Sequence, residues 1–225
     1  MSTAIIDKAH AADSVPAPVY VYAWPSRVWH WVMSLTLIVL GVTGWFIARP
    51  VSDWGTGWMR LVHFVAGDVL AASMLGRAYW ALVGGPHARE IFVIPVWKKE
   101  FWIEVKEDVL HYLFVGKGRT YVGHNPLARL SMFLLFVCIT LFMIATGFAL
   151  YGEDTPGGAM DHLFGWIFAF GPSQTIRTFH HLGMWGLAAF TCIHVYLAVR
   201  ADIMGGATAI STMIDGWRFF KGPRS

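Results

Sequence analysis

Residues 130–151 decide the fold of this chain, and they read LSMFLLFVCITLFMIATGFALY. This stretch of 22 residues contains no charged side chain. About 20 consecutive apolar residues in one helix are enough to cross the hydrocarbon core of a bilayer. A helix also satisfies its own backbone hydrogen bonds, which lipid cannot do. The stretch therefore predicts a transmembrane helix.

Other apolar blocks extend this pattern along the chain. Three more are Trp31–Ile47 and Phe179–Val199, which contain no Asp, Glu, Lys or Arg, and Leu61–Val83, which carries Asp68 and Arg77. A shorter run, His162 to Phe170, is too brief to cross and predicts a helix at the membrane surface. We therefore expect an all-α membrane protein, a four-transmembrane-helix bundle at 24–201 with short interfacial helices. A cytoplasmic lead-in at 1–23 and a cytoplasmic tail at 202–225 complete the predicted organisation.

The composition agrees with a chain that lies largely in lipid. Of the 225 residues, 56% are hydrophobic and 14% are charged, whereas soluble domains carry about 25% charged residues. The two cysteines form no C-x-x-C motif, which excludes covalent c-type haem and cysteine-bound iron–sulfur clusters. The common hydrolase and nucleotide-binding motifs are also absent. Basic residues flank the apolar blocks, a pattern typical of membrane topology rather than of nucleic-acid binding.

The positive charges predict the orientation of the helices. Of the 17 Lys and Arg, thirteen lie in residues 1–30, in the 85–129 connection or after the fourth block. Cytoplasmic segments carry such an excess. We therefore expect both termini and the 85–129 connection to be cytoplasmic. The N-terminus lacks an apolar core followed by a small-residue cleavage site, so we expect no removable signal peptide.

Histidines stand near the ends of the predicted spans. Polar side chains inside a span are costly, so each calls for a partner or a function. His180 and His194 are fourteen residues apart, a rise of about 21 Å, and lie within about 40° of the same helix face. His181 lies about 140° away from His194 around the helix. His180 and His194 therefore share one face at two depths, and His181 does not.

Depth then assigns the partners. His63 and His180 are expected near the outer surface, and His30 and His194 near the cytoplasmic surface. Two imidazoles that face each other from different helices bind a b-type haem. A single histidine at a helix end is ordinarily interfacial, but four in two depth-matched pairs indicate ligation. The pattern predicts two b haems, with their iron bound by His63/His180 and by His30/His194.

The remaining polar residues have weaker cases. Five arginines near the expected haem edges are candidate partners of the haem propionates, with ordinary interfacial placement as the alternative: Arg27, Arg60, Arg77, Arg177 and Arg200. Four glycines are expected to leave room for the porphyrin: Gly44, Gly67, Gly183 and Gly186. A structural or interfacial role is favoured for four residues: Asp68, His111, His162 and His181.

Three motifs resemble those of a known family. Residues 27–31, RVWHW, with 40–44, LGVTG, resemble the first-helix signature of nickel–iron hydrogenase b-type cytochrome subunits. Residues 177–194 resemble the fourth-helix signature of these subunits, and residues 121–129, YVGHNPLAR, are also similar to theirs. The resemblance covers nearly the whole chain from Tyr20 onward.

The resemblance implies a membrane complex. Such subunits anchor a large nickel–iron subunit and a small iron–sulfur subunit on the periplasmic side of the bacterial inner membrane, and the small subunit adds a transmembrane helix of its own. Electrons from hydrogen are then expected to enter the outer haem, pass to the inner haem and reduce quinone. The chain itself is implied to be an electron-transfer subunit and not an enzyme, with membrane lipid around it and no nucleic-acid partner.

The resemblance also suggests a quinone contact. In the related formate dehydrogenase cytochromes, quinone binds beside the inner haem, near the loop that joins spans two and three. By that analogy Asn125, with His124, is a candidate quinone contact. The alternative is that Asn125 and Pro126 only cap the start of span three.

Two other functions remain open from the residues. One is the cytochrome subunit of a related formate dehydrogenase or thiosulfate reductase. The other is a structural anchor with one haem or none, against which the paired histidines argue.

Overall fold

The computed structural model describes residues 17–50, 55–116, 119, 121–204 and 206–220. Residues 1–16 of the predicted lead-in and 221–225 of the predicted tail lie outside this described part.

Within the described residues, four helices are long and apolar enough to cross a membrane, as predicted. They are α1 (Trp24–Ala48), α2 (Thr56–Val83), a third span over Pro126–Glu153, and α7 (Ser173–Met204). The third span consists of α4 (Pro126–Ser131), a π-helical stretch (Met132–Cys138) and α5 (Ile139–Glu153). Each span extends past its apolar block, because the flanking polar and aromatic residues continue the helix beyond the hydrocarbon core.

Shorter elements lie before, between and after the spans. They are β1 (Val19–Tyr20), a 3₁₀ turn (Pro86–Ala88), α3 (Lys99–Tyr112), α6 (Ala159–Phe164), a 3₁₀ helix (Gly165–Phe170), α8 (Thr212–Asp215) and β2 (Trp217–Arg218). The run from His162 to Phe170 is therefore helical, as expected, and its place at the membrane surface stays a prediction.

The outward faces of the spans are apolar. Only 6% to 22% of the central residues of each span are buried within the chain. In water such exposure of leucine, valine and phenylalanine would be unfavourable, whereas in lipid it has no such cost. Hydroxyl groups inside the spans donate to the carbonyl four residues back, as Ser34 does to His30 and Thr191 to Leu187. This local bond satisfies a polar group that lipid leaves unsolvated.

The chain forms two compact units. Of the described residues, the first contains those within 17–28, 78–134 and 192–220. In it β1 pairs antiparallel with β2, Val19 opposite Arg218 and Tyr20 opposite Trp217. The Arg218 guanidinium donates to the carbonyls of Tyr121 and Gly123. The segment before the first span, the connection before the third and the segment after the fourth therefore meet in this unit.

The second unit contains residues 29–77 and 135–191, which make up most of the four spans. Aromatic pairs join the helices: Trp45 lies edge-on to Trp185 with ring centres 5.7 Å apart, and Phe64 to Tyr151 at 4.7 Å. Two of the glycines predicted to make room for porphyrin serve helix packing in this unit. A side chain at Gly183 would collide with Met143, and one at Gly186 would touch Ile139.

Candidate functional site

His63 of α2 and His180 of α7 face each other in the second unit. Their ring centres are 6.5 Å apart, and the ring planes are inclined by 69°. Two imidazoles that bind one metal ion from opposite sides, each through a nitrogen about 2 Å from it, have ring centres roughly 6 Å apart. Both rings are largely shielded from solvent. The separation of this predicted pair therefore fits a haem iron held between two histidines.

The Nδ1 nitrogen of each of these two rings lies beside a threonine hydroxyl. The Nδ1 of His63 lies 2.9 Å from the Thr43 hydroxyl, and the Nδ1 of His180 lies 2.8 Å from the Thr146 hydroxyl. Both threonines are buried within the spans, on α1 and α5 respectively. Sequence reasoning missed both of them. The available signal was the dipeptide Thr-Gly, which occurs once in each of these two spans.

A glycine follows each of these threonines and contacts the same ring. A methyl group at Gly44 would lie 3.3 Å from Cε1 of His63, and one at Gly147 would lie 3.3 Å from Cε1 of His180. That separation is tighter than ordinary van der Waals contact, so each glycine allows the ring to rest against the neighbouring helix. Gly44 was predicted to leave room, whereas Gly67 has no neighbour within 4 Å of an added methyl group.

The other predicted pair is divided between the two units. His30, in the second unit, is partly buried and lies edge-on to Trp31, with ring centres 5.0 Å apart. His194, in the first unit, is also partly buried. Ligation by His30 and His194 stays a prediction from their spacing and depth.

His181 has a partner on its own helix. The indole nitrogen of Trp185 donates to the Nε2 of His181 over 3.3 Å. This contact occupies the ring nitrogen that would otherwise bind a metal, in line with the structural role predicted for His181. Two further polar residues in this group, Asp68 and His162, are exposed.

The candidate propionate arginines have varied surroundings. Arg77 is buried in α2. The Arg177 guanidinium forms a 2.7 Å ion pair with Glu153, and Arg27 donates to the Ile214 carbonyl. Arg200 lies over the ring of Phe114 at 4.5 Å, and Arg60 is exposed. These contacts give Arg177, Arg27 and Arg200 structural roles that need no haem.

Asn125 caps span three. Its side-chain oxygen accepts a 2.7 Å hydrogen bond from the Ala128 amide, and Pro126 follows at the first helical position. Its amide nitrogen donates to the Tyr112 hydroxyl over 3.1 Å. Asn125 and Pro126 therefore cap the start of span three, which was the alternative to a quinone contact. A quinone contact at Asn125 would be a second role for the same residue.

A buried carboxylate anchors His124 beside this cap. One oxygen of Glu90 lies 2.6 Å from Nδ1 of His87, and the other lies 3.1 Å from both Nδ1 and the backbone amide of His124. The Tyr22 hydroxyl also contacts His124, at 3.0 Å. Burial alone would raise the pKa of Glu90. Hydrogen bonds and positive charge from His124 and His87 outweigh that effect and hold the pKa well below its usual range. Sequence reasoning did not single out Glu90 or His87.

We expect Glu90→Gln to destabilise the first unit. A carboxylate with a lowered pKa stabilises the folded state above its unfolded pKa of about 4.5, and this contribution is lost as the pH falls below that value. Glutamine removes the negative charge and leaves a histidine hydrogen bond mismatched, at a cost of about 1–3 kcal/mol. The check is thermal unfolding in detergent at pH 7. Glu107→Gln is the matched control, because Glu107 forms only a surface ion pair with Arg119 and should change stability little. Equal unfolding midpoints for the two variants would contradict the expectation.

Comparisons with known proteins identify the family of this chain. The family model described as prokaryotic cytochrome b561 matches residues 21–216. A protein of Azotobacter chroococcum is 51% identical over 92% of this chain and 90% of its own length, and is described as a probable Ni/Fe-hydrogenase B-type cytochrome subunit. Proteins with the same description from Azotobacter vinelandii and Cupriavidus necator are 50% and 46% identical, over 92% and 90% of this chain and 90% and 87% of their own lengths. The chain therefore belongs to the prokaryotic cytochrome b561 family, a family of multi-pass membrane proteins with b-type haem.

Proposed function

We propose that this chain is the membrane anchor and electron-transfer subunit of a nickel–iron hydrogenase, and that it passes electrons through two b haems to the quinone pool. The observation that carries the proposal is the facing pair of His63 and His180 at a separation that fits one haem iron. Haem supplies reversible one-electron transfer when it is bound. The relatives described as Ni/Fe-hydrogenase subunits support the choice of a hydrogenase partner.

The residues of the chain hold each haem and cover it from water. His63 and His180 bind the outer haem, and His30 and His194 bind the inner one. Five arginines remain the candidates for the propionates: Arg27, Arg60, Arg77, Arg177 and Arg200. Among these Arg77 is buried within a span. The chain holds and orients the haems, and the hydrogen chemistry belongs to the partner: a large nickel–iron subunit and a small iron–sulfur subunit with its own transmembrane helix.

We place both termini on the cytoplasmic face of the bacterial inner membrane. The antiparallel pairing of β1 with β2 supports a common side, because residues just before the first span and just after the fourth are hydrogen-bonded neighbours. The excess of Lys and Arg in these segments and in the 85–129 connection supports the cytoplasmic side. The hydrogenase partner then binds at the opposite, periplasmic side, next to the outer haem.

We place the quinone contact beside His124 and Asn125. His124 is partly exposed while its Nδ1 is held by Glu90, so its second ring nitrogen is available to a ligand. His124 also lies in the same compact unit as His194, the predicted ligand of the inner haem. A quinone at this position would therefore lie near the predicted inner haem and near a histidine able to exchange a proton.

The first experiment is a count of haem per polypeptide by pyridine haemochrome. It uses the detergent-purified complex with its hydrogenase partner, alongside an assay of hydrogen-dependent quinone reduction. We expect two b haems per chain and quinone reduction. One haem would contradict one of the two pairs, and the variants described in the Discussion identify which. A well-folded complex without haem would overturn electron transfer and leave a structural anchor.

A further inference from the structure

The same arrangement of three residues occurs twice in the second unit. A Thr-Gly dipeptide on one span docks a histidine on the next: Thr43 and Gly44 of α1 against His63 of α2, and Thr146 and Gly147 of α5 against His180 of α7. The hydrogen-bond lengths differ by only 0.1 Å and the glycine contacts are equal. Two independent copies of one geometry, on the two members of a predicted ligand pair, are unlike incidental packing.

The bonds of each threonine determine the direction of the histidine bond. The Thr43 hydroxyl is 2.7 Å from the Val39 carbonyl, and the Thr146 hydroxyl is 2.7 Å from the Phe142 carbonyl. A carbonyl only accepts, so the single hydroxyl proton is donated to it. The threonine oxygen then accepts from the ring, and Nδ1 must carry the proton. A neutral imidazole with its proton on Nδ1 has its free electron pair on Nε2.

We propose that Thr43 and Thr146 are positioning residues for the outer haem: each fixes the tautomer and orientation of one axial histidine, so that both Nε2 atoms are available to the iron. We call each Thr-Gly pair, Thr43 with Gly44 and Thr146 with Gly147, a cradle for its histidine ring. The glycine belongs to it because a methyl group at that position would displace the ring and break its hydrogen bond to the threonine. The inference rests on the proposed haem between His63 and His180 and adds to it how the two rings are held.

The hydrogen bond also tunes the ligand. An acceptor at Nδ1 makes the imidazole a stronger donor to the metal, which favours the ferric over the ferrous state. Removal of the acceptor is therefore expected to raise the midpoint potential of the outer haem. The two hydrogen bonds are alike in length, so the loss of either threonine is expected to have a similar effect.

The test compares valine variants of these threonines with matched threonines on the same helices. Thr43→Val and Thr146→Val keep the shape and remove the hydroxyl. Thr36→Val and Thr140→Val are the controls: Thr36 is buried in α1 and donates to Val32, and Thr140 is fully buried in α5. Within the part of the chain that the structure describes, neither hydroxyl is hydrogen-bonded to a histidine. The complex is assayed for haem content, redox potential and the low-spin ferric electron paramagnetic resonance signal.

We expect about a tenfold loss of apparent haem affinity in each of Thr43→Val and Thr146→Val. We also expect an upward shift in the potential of one haem and a changed low-spin signal. Thr36→Val and Thr140→Val should leave all three unchanged, and Thr43→Ser and Thr146→Ser should restore the wild-type values because serine keeps the acceptor. Wild-type potential and signal in both valine variants would overturn the inference.

A second set keeps the hydroxyl and tests the cradle by its shape. Gly44→Ala and Gly147→Ala place a methyl group 3.3 Å from Cε1 of the ring, whereas Gly41→Ala on the same helix as Gly44 meets nothing within 4 Å. We expect a changed low-spin signal in the first two variants only, and identical signals in all three would contradict the cradle. If the valine variants do not accumulate, the three glycine variants test the positioning role by themselves. His63→Ala separates this inference from the proposed haem site. If the His63→Ala variant keeps both haems, the proposed pairing of His63 with His180 is wrong.

Discussion

His180→Ala is expected to remove one of the two haems and to abolish hydrogen-dependent quinone reduction. His180 is paired with His63 alone in the proposed outer site, with ring centres 6.5 Å apart. Alanine would leave only His63 to hold the iron at this site. The outer haem is the proposed entry point for electrons, so its loss isolates the inner haem from the hydrogenase. The measurement is haem per polypeptide together with the fraction of haem that hydrogen reduces.

The adjacent histidine provides a closely matched control. His181→Ala removes an imidazole from the same turn of α7, but His181 points elsewhere around the helix and binds Trp185. We expect His181→Ala to keep both haems and quinone reduction. Loss of a haem in this variant would show that the rotational assignment of α7 is wrong. Full haem content in His180→Ala would exclude the outer pair.

His194→Ala is expected to remove the inner haem, block quinone reduction and leave the outer haem reducible by hydrogen. His180 and His194 of α7 are separated by about 21 Å along the helix, so loss of the inner ligand should not disturb the outer site. The variant should therefore contain one haem that hydrogen reduces and that quinone cannot reoxidise. Reduced-minus-oxidised spectra after hydrogen, and then after added quinone, measure both properties.

The partner of His194 provides the internal check. His30→Ala should reproduce the same spectrum, because a pair loses its haem when either ligand is removed. His162→Ala, at an exposed histidine in α6, should behave as wild type. Unchanged haem content in His194→Ala would exclude the inner pair, and different spectra for His30→Ala and His194→Ala would mean that they do not serve the same haem.

Much of the architecture is local and was therefore accessible from the sequence. A span needs only enough consecutive apolar residues to cover the bilayer core, so the four blocks predicted the four helices found. The ends were less certain. Residues 173–178 and 200–204 extend α7 beyond its apolar block, because both segments contain polar or charged residues that end the block but not the helix. The cap formed by Asn125 sets the start of the third span.

The candidate site also contains some residues that the sequence predicted and others that it did not. Periodicity selected His180 over His181, because the position of a residue around a helix follows from its number in the chain. Depth suggested His63 as the partner, and the tertiary structure then brought the two ring centres to 6.5 Å from each other. Thr43, Thr146 and Glu90 were not predicted. A buried threonine in a span ordinarily donates to its own helix, and a glutamate in a connection is ordinarily solvated.

By itself, the sequence determined that the chain crosses a membrane four times, that it belongs with the hydrogenase-type b cytochromes, and which histidines have the right spacing to bind haem. These properties depend on single helices and on motifs contiguous in the chain. Only the tertiary structure decided that Thr43 and Thr146 each hold one histidine of the outer pair and that Glu90 lies between His87 and His124. Each of these contacts joins residues from 3 to 34 positions apart. Most of them lie on different helices or loops, and the packing of those elements, rather than local propensity, places the atoms within hydrogen-bond distance.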